Sequence, residues 1–178
     1  MVNFSNMELQ TGQVIPSCTQ EENLFNARPE MYIAMCISQR MYKNDIIIIE
    51  NVPQMITYSG YLQSFKYENI VTNFEEYIIN KNNILTSANN SKILCLDSSF
   101  ENHYEYITYM TDLNKFYNAC KYCSGKSIST GYWGCGMFGC DKIHKFLQQI
   151  IMAKINNVKL FFSCFCDEKD KTILLRLF

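Results

Sequence analysis

The stretch "STGYWGCGMFGCDKIHKFL", residues 129–147, joins a glycine-rich loop to a segment with helical spacing. It holds most of the seven glycines and the one tryptophan of the chain. Gly134, Gly136 and Gly139 match the spacing G-x-G-x-x-G, and residues from Asp141 onward have the apolar period of a helix. Glycines let backbone N–H groups approach a phosphate closely, and a helix start favours negative charge. The spacing therefore leaves two interpretations open, an anion-binding loop or a plain turn before a helix.

Two more specific phosphate-binding motifs fit this region poorly. A dinucleotide-binding βαβ unit needs a strand directly before its glycine loop. The preceding residues, "CSGKSISTGY" at 123–132, are interpreted as a loop. "SGKS" at 124–127 is not a Walker-type phosphate loop, because Cys120 stands where the first glycine of that motif should be. We therefore expect neither of these motifs here.

The nine cysteines raise the question of a metal or a disulfide framework. The N-terminal "MVNFSNMEL" lacks a basic region followed by an apolar run, so we expect no secretory signal and a location in the cytoplasm or nucleus. Disulfides are then not expected. The spacing of Cys120, Cys123, Cys135 and Cys140 could suit zinc. Neither histidine of the chain adds a ligand at an obvious spacing, so reduced, partly buried thiols are the preferred interpretation.

Composition and hydrophobic periodicity predict a single α/β domain over residues 1–178. Hydrophobic residues make up 48% of the chain, and the net charge of −1 gives no reason to expect direct binding to nucleic acid or to an anionic membrane. Strands are predicted in "MVNF" at 1–4, "DIIIIENV" at 45–52, "SKILCLDSS" at 91–99 and "VKLFFSCF" at 158–165. Helical stripes are predicted after Pro29, through residues 102–122 and from Asp141 to Ile155. The first of these stripes consists of Ile33, Cys36, Ile37 and Met41.

Two further segments could carry chemistry. Glu21 and Glu22 are adjacent carboxylates, which are either the solvated first turn of a helix or a site where one of them acts as a general acid or base. The segment "TYSGYLQSFKY" supplies several aromatic side chains just after a predicted strand position. These rings are either core residues or a stacking surface for a purine.

Taken in chain order, these segments resemble the catalytic macrodomain of the poly(ADP-ribose) glycohydrolase family. "TGYWGCGMFGCD" at 130–141 is similar to the diphosphate-binding loop of the family, and "QEE" at 20–22 is similar to the end of its signature. "YSGY" at 58–61 and "FSCFCD" at 162–167 resemble its Tyr-Thr-Gly-Tyr segment and its Phe-Gly-Asp strand end. The resemblance covers residues 2 to about 167 and implies a three-layer α/β/α fold with a mixed sheet.

The resemblance also implies an activity and a site. Hydrolysis of the ribose–ribose bonds of poly(ADP-ribose) would release ADP-ribose, without a metal or other cofactor. Glu22 would act as general acid and base, and Glu21 would hold the ribose hydroxyls. The ligand-binding residues that the resemblance implies are Gln20 of the signature, Asn6 at the terminal ribose, Tyr61 and Phe165 on either side of the ADP moiety, and Gly134, Gly136, Met137, Phe138 and Gly139 of the diphosphate-binding loop.

Three departures from the family pattern leave alternatives open. Gly12 is the one glycine left where the family has a triplet, and Tyr132 stands where the family has asparagine. The helical accessory region and first strands of longer relatives have no counterpart, so we expect an exposed sheet edge that a second copy, another partner or a rearrangement of the fold covers. A module that binds ADP-ribose or a related nucleotide without catalysis is the alternative function, followed by an interaction protein that binds no ligand.

Overall fold

The computed structural model describes residues 1–11, 18–73, 75, 78–79, 82, 92–164 and 168–176. The strands within these ranges are β1 (Val2–Ser5), β2 (Ile47–Ile49), β3 (Ile56–Ser59), β4 (Lys66–Ile70), β5 (Ile93–Asp97), β6 (Ser127–Thr130) and β7 (Lys159–Phe162). The helices are α1 (Gln20–Ala27), α2 (Tyr32–Ile37), α3 (Tyr106–Tyr122), α4 (Lys142–Ile155) and α5 (Glu168–Arg176), with 3-10 turns at Pro29–Met31 and Leu62–Ser64.

A mixed sheet lies at the centre of the fold. Strand β5 is central, with β1 parallel to it on one side and β2 antiparallel on the other. Strands β6 and β7 form a parallel pair, and β6 lies against β1. A separate antiparallel hairpin, β3–β4, packs on α1. Every residue of β5 is buried, as expected for a strand covered on both faces.

Helices cover both faces of the sheet. Leu94 and Leu96 of β5 pack with Phe116 of α3 and Ala153 of α4 in one buried cluster. The alternate β5 residues Ile93 and Cys95 lie in a second cluster, whose helical members are Leu24, Phe25, Met31 and Ala34. Since successive side chains of a strand point to opposite faces, these clusters are the two interfaces of an α/β/α arrangement. The predicted three-layer α/β fold is confirmed.

Strand β6 corrects the interpretation of residues 123–132 as a loop. Ile128 and Thr130 are buried while Ser127 and Ser129 are exposed, which is the alternation of a half-buried strand. With α4 and the parallel strand β7, it completes a βαβ unit around the glycine loop. The objection that no strand precedes the loop was therefore wrong. The serines hid the strand because only one of its four residues is an apolar side chain.

The stripe predicted for the first helical segment was also wrong. Ile33 and Ile37 are 62% and 76% exposed, and Cys36 is exposed as well. Helix α2 ends at Ile37, so Met41 lies beyond it and enters the core from the following loop at 3% exposure. The stripe therefore joined residues of two different structural contexts.

Within the described residues, no helix combines the length and the apolar composition that crossing a bilayer would require.

Candidate active site

A cleft of about 510 Å³ lies at the carboxyl ends of β1 and β5, where the glycine loop and the start of α1 meet. Ligands of open α/β sheets bind in this position, beyond the carboxyl ends of parallel strands. The residues that line it are Phe4, Ser5, Asn6, Thr19, Gln20, Glu21, Tyr61, Ser98, Tyr132, Trp133, Gly134, Cys135, Gly136, Met137, Phe138, Lys142, Cys164 and Asp170. The cleft therefore gathers residues from segments that are far apart in the chain.

Glu21 places a buried carboxyl group in the wall of this cleft. Its Oε1 accepts a hydrogen bond from Asn3 Nδ2 at 3.3 Å, and its Oε2 accepts one from the backbone N–H of Asn6 at 3.3 Å. Burial raises the pKa of Glu21 to about 8, against the lowering effect of these bonds and of Ser5, and the charge of Glu22 adds to the rise. Glu21 is therefore mostly protonated at neutral pH.

Glu22 has a different position, within the N-terminal cap of α1. Thr19 is the N-cap residue, and its side chain accepts from Glu22 N at 3.5 Å. Glu22 Oε2 accepts from Thr19 N at 3.1 Å, which completes a capping box. Glu22 is 7% exposed and is not among the residues that line the cleft. Its carboxylate lies directly behind Thr19, which does line the cleft.

Gln20 and Asn6 position the start of α1 against β1. Gln20 Oε1 accepts from Phe4 N at 2.8 Å, and its Nε2 donates to Val2 O at 2.9 Å, so the side chain is hydrogen-bonded like an added strand residue. Asn6 Oδ1 accepts from Met7 N at 2.7 Å. Both residues also line the cleft, where the resemblance placed them.

Main-chain hydrogen bonds between nearby residues close the glycine loop. Cys140 N donates to Gly134 O at 3.1 Å, and Gly139 N donates to Gly136 O at 3.2 Å. Within the described part of the chain, the N–H groups of Gly136, Met137 and Phe138 donate no main-chain hydrogen bond. Three consecutive amides at the cleft are the kind of concave donor set that binds an anion.

Gly134 has a conformation and an environment that require glycine. Its φ is +76°, and a Cβ atom there would lie 2.4 Å from Ser98 Oγ and 2.7 Å from Ser98 Cβ. Gly139 also has a positive φ, of +66°, but a Cβ atom there would meet nothing within 4 Å. Gly139 shapes the loop without lining the cleft.

A buried ion pair supports the loop from behind. Lys145 Nζ bonds Asp112 Oδ2 and lies 4.0 Å from the centre of the Trp133 ring. Asp112 Oδ1 also accepts from the N–H and the hydroxyl of Ser99, at 3.0 and 2.9 Å. Trp133 in turn donates to Leu96 O at 3.1 Å. The pair thus ties α3 and α4 to the end of β5 and to the loop.

His103 contacts the outer part of the glycine loop through both of its ring nitrogens. One ring nitrogen, Nε2, lies 2.9 Å from Phe138 O, and the other, Nδ1, lies 3.3 Å from Cys140 Sγ. Burial raises the pKa of Cys140, so its thiol is protonated at neutral pH. These contacts hold Phe138, a cleft residue, against the body of the protein.

Tyr61 forms the wall of the cleft on the side of the β3–β4 hairpin. Burial raises its pKa, and the nearby charge of Glu22 adds to the rise. Next to it, Phe65 makes a tilted contact with Tyr58, at 5.3 Å between ring centres, and an edge-to-face contact with Tyr67, at 4.8 Å. These three rings pack on one another, whereas Tyr61 lines the cleft.

Most of the residues that the sequence suggested for binding lie together at the cleft. They are Asn6, Gln20, Glu21, Tyr61, Gly134, Gly136, Met137 and Phe138. Glu22, whose carboxylate caps α1, and Gly139 lie outside its lining. Phe165 and Gly12 fall outside the residues that the structure describes.

Among the cleft residues that were missed from the sequence, Tyr132, Lys142 and Asp170 are bonded to one another. Tyr132 Oη donates to Asp170 Oδ2 at 2.9 Å, and Lys142 Nζ donates to the same oxygen at 2.5 Å. These two donors hold the pKa of Asp170 below its usual range. Tyr132 was noted only as a departure from the family pattern, and no signal in the sequence connects Lys142 with Asp170.

The cysteines suggested for zinc do not come together. Cys120 and Cys123 lie in the buried cluster between the sheet and α3, while Cys135 borders the cleft. Within the described ranges, no three side chains of the His, Cys, Asp or Glu types gather into a metal site.

Comparison with known proteins identifies the family. Residues 1–172 match the family model described as poly(ADP-ribose) glycohydrolase (PARG), Macro domain fold. The chain is 28% identical over 184 residues to poly(ADP-ribose) glycohydrolase 1 of Caenorhabditis elegans, covering 92% of this chain and 23% of that protein. It is also 28% identical over 117 residues to poly(ADP-ribose) glycohydrolase 1 of Arabidopsis thaliana, covering 64% of this chain and 20% of that protein. The chain thus spans under a quarter of the length of these relatives, and it belongs to the poly(ADP-ribose) glycohydrolase family with its macrodomain fold.

Proposed function

We propose that the chain hydrolyses the ribose–ribose O-glycosidic bonds of poly(ADP-ribose) and releases ADP-ribose. The bond that breaks joins the anomeric carbon of one ribose to the 2′-oxygen of the preceding unit. The products follow from adding water across that bond. Membership of the family and the names of the two relatives support this substrate.

One observation carries the proposal: a single cleft combines a glutamate from the Gln-Glu-Glu segment with the glycine loop. Glu21 stands on one side of the cleft, and the amides of Gly136, Met137 and Phe138 stand in the loop that lines it as well. In such a cleft the loop amides can hold a diphosphate while a carboxyl group acts on the adjacent ribose.

The glutamates divide the work in this proposal. Glu22 in its protonated form donates a proton to the departing 2′-oxygen as an oxocarbenium-like centre develops, and the resulting carboxylate then accepts a proton from the attacking water, which restores the protonated form. Glu21, protonated at neutral pH, donates to and accepts from the ribose hydroxyls. The hydrogen bond from Thr19 N to Glu22 Oε2, at 3.1 Å, supports a place for this carboxylate beside the cleft, because Thr19 lines it.

A second function, binding ADP-ribose without hydrolysis, is favoured by the same cap. Glu22 Oε2 bonds Thr19 N, so the proposed acid has a structural task at the start of α1. Binding of the diphosphate by the glycine loop does not require Glu22 to leave this cap. Binding therefore needs less rearrangement than catalysis does.

An assay of ADP-ribose release from polymer separates the two functions. We expect release by the wild type and a loss of at least about a hundredfold in Glu22→Gln, the lower range for a general acid–base contribution. Glutamine keeps the capping bond to Thr19 N, so Glu22→Gln leaves folding and ADP-ribose affinity near those of the wild type. Glu101→Gln, at an exposed position, is the matched control.

The outcomes discriminate clearly. Affinity for ADP-ribose without release by the wild type would establish the binding module instead. The absence of both, measured by isothermal titration calorimetry on folded protein, would reject both functions. A larger loss in Glu21→Gln than in Glu22→Gln would transfer the role of proton donor to Glu21.

We also propose that the chain works in the cytoplasm or nucleus. The eight cysteines in the described part of the chain are free thiols, which suits a reducing compartment. Localisation of a tagged chain by microscopy tests this, and finding it in a secretory compartment would contradict the proposal.

A further inference from the structure

We propose that Lys142 is the cationic side chain that binds the diphosphate of ADP-ribose in this chain, with Asp170 and Tyr132 positioning its ammonium group. The inference rests on the proposed ADP-ribose binding and adds a side-chain contact to the backbone amides of the glycine loop.

Lys142 lies at the edge of the cleft that the glycine loop forms. Lys142 is the first residue of α4, directly after the N-cap residue Asp141 that ends the glycine loop. Its Nζ lies 4.8 Å from the centre of the ring of Tyr132, which is itself a loop residue. Lys142 and Tyr132 line the cleft together with Gly134 and Gly136. The ammonium group is therefore beside the loop that would hold the diphosphate.

Asp170 fixes the direction of this ammonium group. Its Oδ2 accepts from Lys142 Nζ at 2.5 Å and from Tyr132 Oη at 2.9 Å. Tyr132 is held in turn by an edge-to-face contact with Phe162, at 5.3 Å between ring centres. The bond to this carboxylate oxygen therefore holds the ammonium nitrogen in one position beside the glycine loop.

The charged residues that line the cleft indicate that the charge of Lys142 is important for binding an anion. Among the described residues that line the cleft, Lys142 is the only cationic one, and Glu21 and Asp170 are the acidic ones. A diphosphate diester brings about two negative charges, and charge-assisted hydrogen bonds to phosphate are stronger than neutral ones. Without Lys142, the acidic side chain of Asp170 would remain in a cleft meant for a dianion.

Asp170 and Tyr132 make this contact a property of this chain. Tyr132 stands where the family pattern has asparagine, and its hydroxyl group is what connects the glycine loop to Asp170 of α5. Helix α5 thereby reaches back to the cleft, 28 positions beyond Lys142. The proposed contact thus needs Tyr132 on the loop, Lys142 on α4 and Asp170 on α5.

The test is calorimetric titration of ADP-ribose and of adenosine at low and at high salt. The variants are Lys142→Gln, Lys142→Arg, Asp170→Asn and the control Lys154→Gln, which removes the same charge from the exposed far end of α4. For ADP-ribose we expect Lys142→Gln to lose about fivefold to tenfold in affinity and to lose part of its salt dependence. Affinity for adenosine, which has no phosphate, stays unchanged in all variants. Lys142→Arg keeps the affinity for ADP-ribose within about threefold, because the charge remains.

Asp170→Asn separates a binding role from a structural one. If Lys142 contacts the diphosphate and Asp170 orients it, Asp170→Asn keeps the affinity for ADP-ribose within about threefold, because the asparagine oxygen still accepts from Lys142 Nζ while a negative charge leaves the cleft. If the pair only holds α5 in place, both Asp170→Asn and Lys142→Gln weaken binding of ADP-ribose and lower the melting temperature, which would overturn the assignment. Unchanged affinity and salt dependence in Lys142→Gln, with a wild type that binds ADP-ribose, would overturn the Lys142 assignment alone. A wild type without affinity for ADP-ribose would overturn the proposed function as well.

Discussion

Lys145 places its ammonium nitrogen 4.0 Å from the centre of the Trp133 ring while it bonds the buried carboxylate of Asp112. Both charged side chains are almost completely inaccessible to solvent, at 0% and 2%. A cation over an aromatic face, paired with a buried anion, fixes the ring in one orientation. Trp133 lies within the glycine loop, so the pair determines where the loop begins.

Removing one member of this pair should destabilise the protein strongly. We expect Lys145→Met to lower the free energy of unfolding by about 3 kcal/mol, because Asp112 is left as an uncompensated buried charge. The double variant Lys145→Met with Asp112→Leu should recover part of that loss. Chemical denaturation measures both, with the exposed Lys154→Met as control. A Lys145→Met variant as stable as the control would contradict the structural role of the pair.

Glu21 should make stability depend on pH. Burial raises its pKa from 4.5 to about 8, so the folded protein binds more protons than the unfolded chain between these values. The free energy of unfolding therefore falls as the pH rises from about 5 to 8, by at most about 1.4 kcal/mol per pH unit from this group. Glu21→Gln should flatten that part of the profile, whereas Glu101→Gln should not. Equal slopes for the wild type and Glu21→Gln would show that the carboxyl is not shifted.

The glycines of the loop should differ in their tolerance of alanine. Gly134→Ala combines a positive φ with close contacts to Ser98 and should cost about 2 kcal/mol or more. Gly139→Ala has only the positive φ and should cost about 1 kcal/mol. Gly136→Ala has neither burden and should stay within about 0.5 kcal/mol of the wild type. Denaturation midpoints give the order, and a Gly136→Ala variant less stable than Gly134→Ala would contradict the loop geometry.

The segment after Pro29 offers a test of the corrected stripe. Ile37 is 76% exposed, so Ile37→Lys should change the free energy of unfolding by no more than about 0.5 kcal/mol. Met41 is 3% exposed, so Met41→Ala should cost about 2–4 kcal/mol through lost burial and the cavity that remains. If Ile37→Lys proved the more damaging of the two, the helix would bury the face predicted from the sequence after all.

Long apolar runs allowed much of the fold to be predicted. Strands β1, β5 and β7 and the helices α3 and α4 follow from them, because their side chains are dominated by one periodicity. Strand β6 was missed because Ser127 and Ser129 occupy its exposed positions and leave Ile128 as its one apolar side chain. A periodicity cannot show where a helix ends, which is why Met41 was joined to the stripe of α2.

The candidate site was predicted where one motif supplies it. The glycine loop and the Gln-Glu-Glu segment are short runs that the resemblance to the family singled out, whereas spacing alone left a plain turn and a solvated helix start open. Lys142 and Asp170 meet only because α5 returns to the cleft after β7, a relation that no local pattern contains. The different positions of Glu21 and Glu22 follow from the phase of α1, in which neighbouring residues point about 100° apart and cannot share one task.

The capping box gives Glu22 a reason to be retained that has nothing to do with chemistry. A glutamate at the third position of α1 satisfies Thr19 N, so losing it would weaken the helix start by about 1 kcal/mol even in a chain that hydrolyses nothing. Selection for folding alone would therefore keep this side chain. In related sequences, a glutamate at this position together with a cap threonine reports a well-formed helix, whereas conservation of Glu21, whose burial works against its charge, reports use of the cleft.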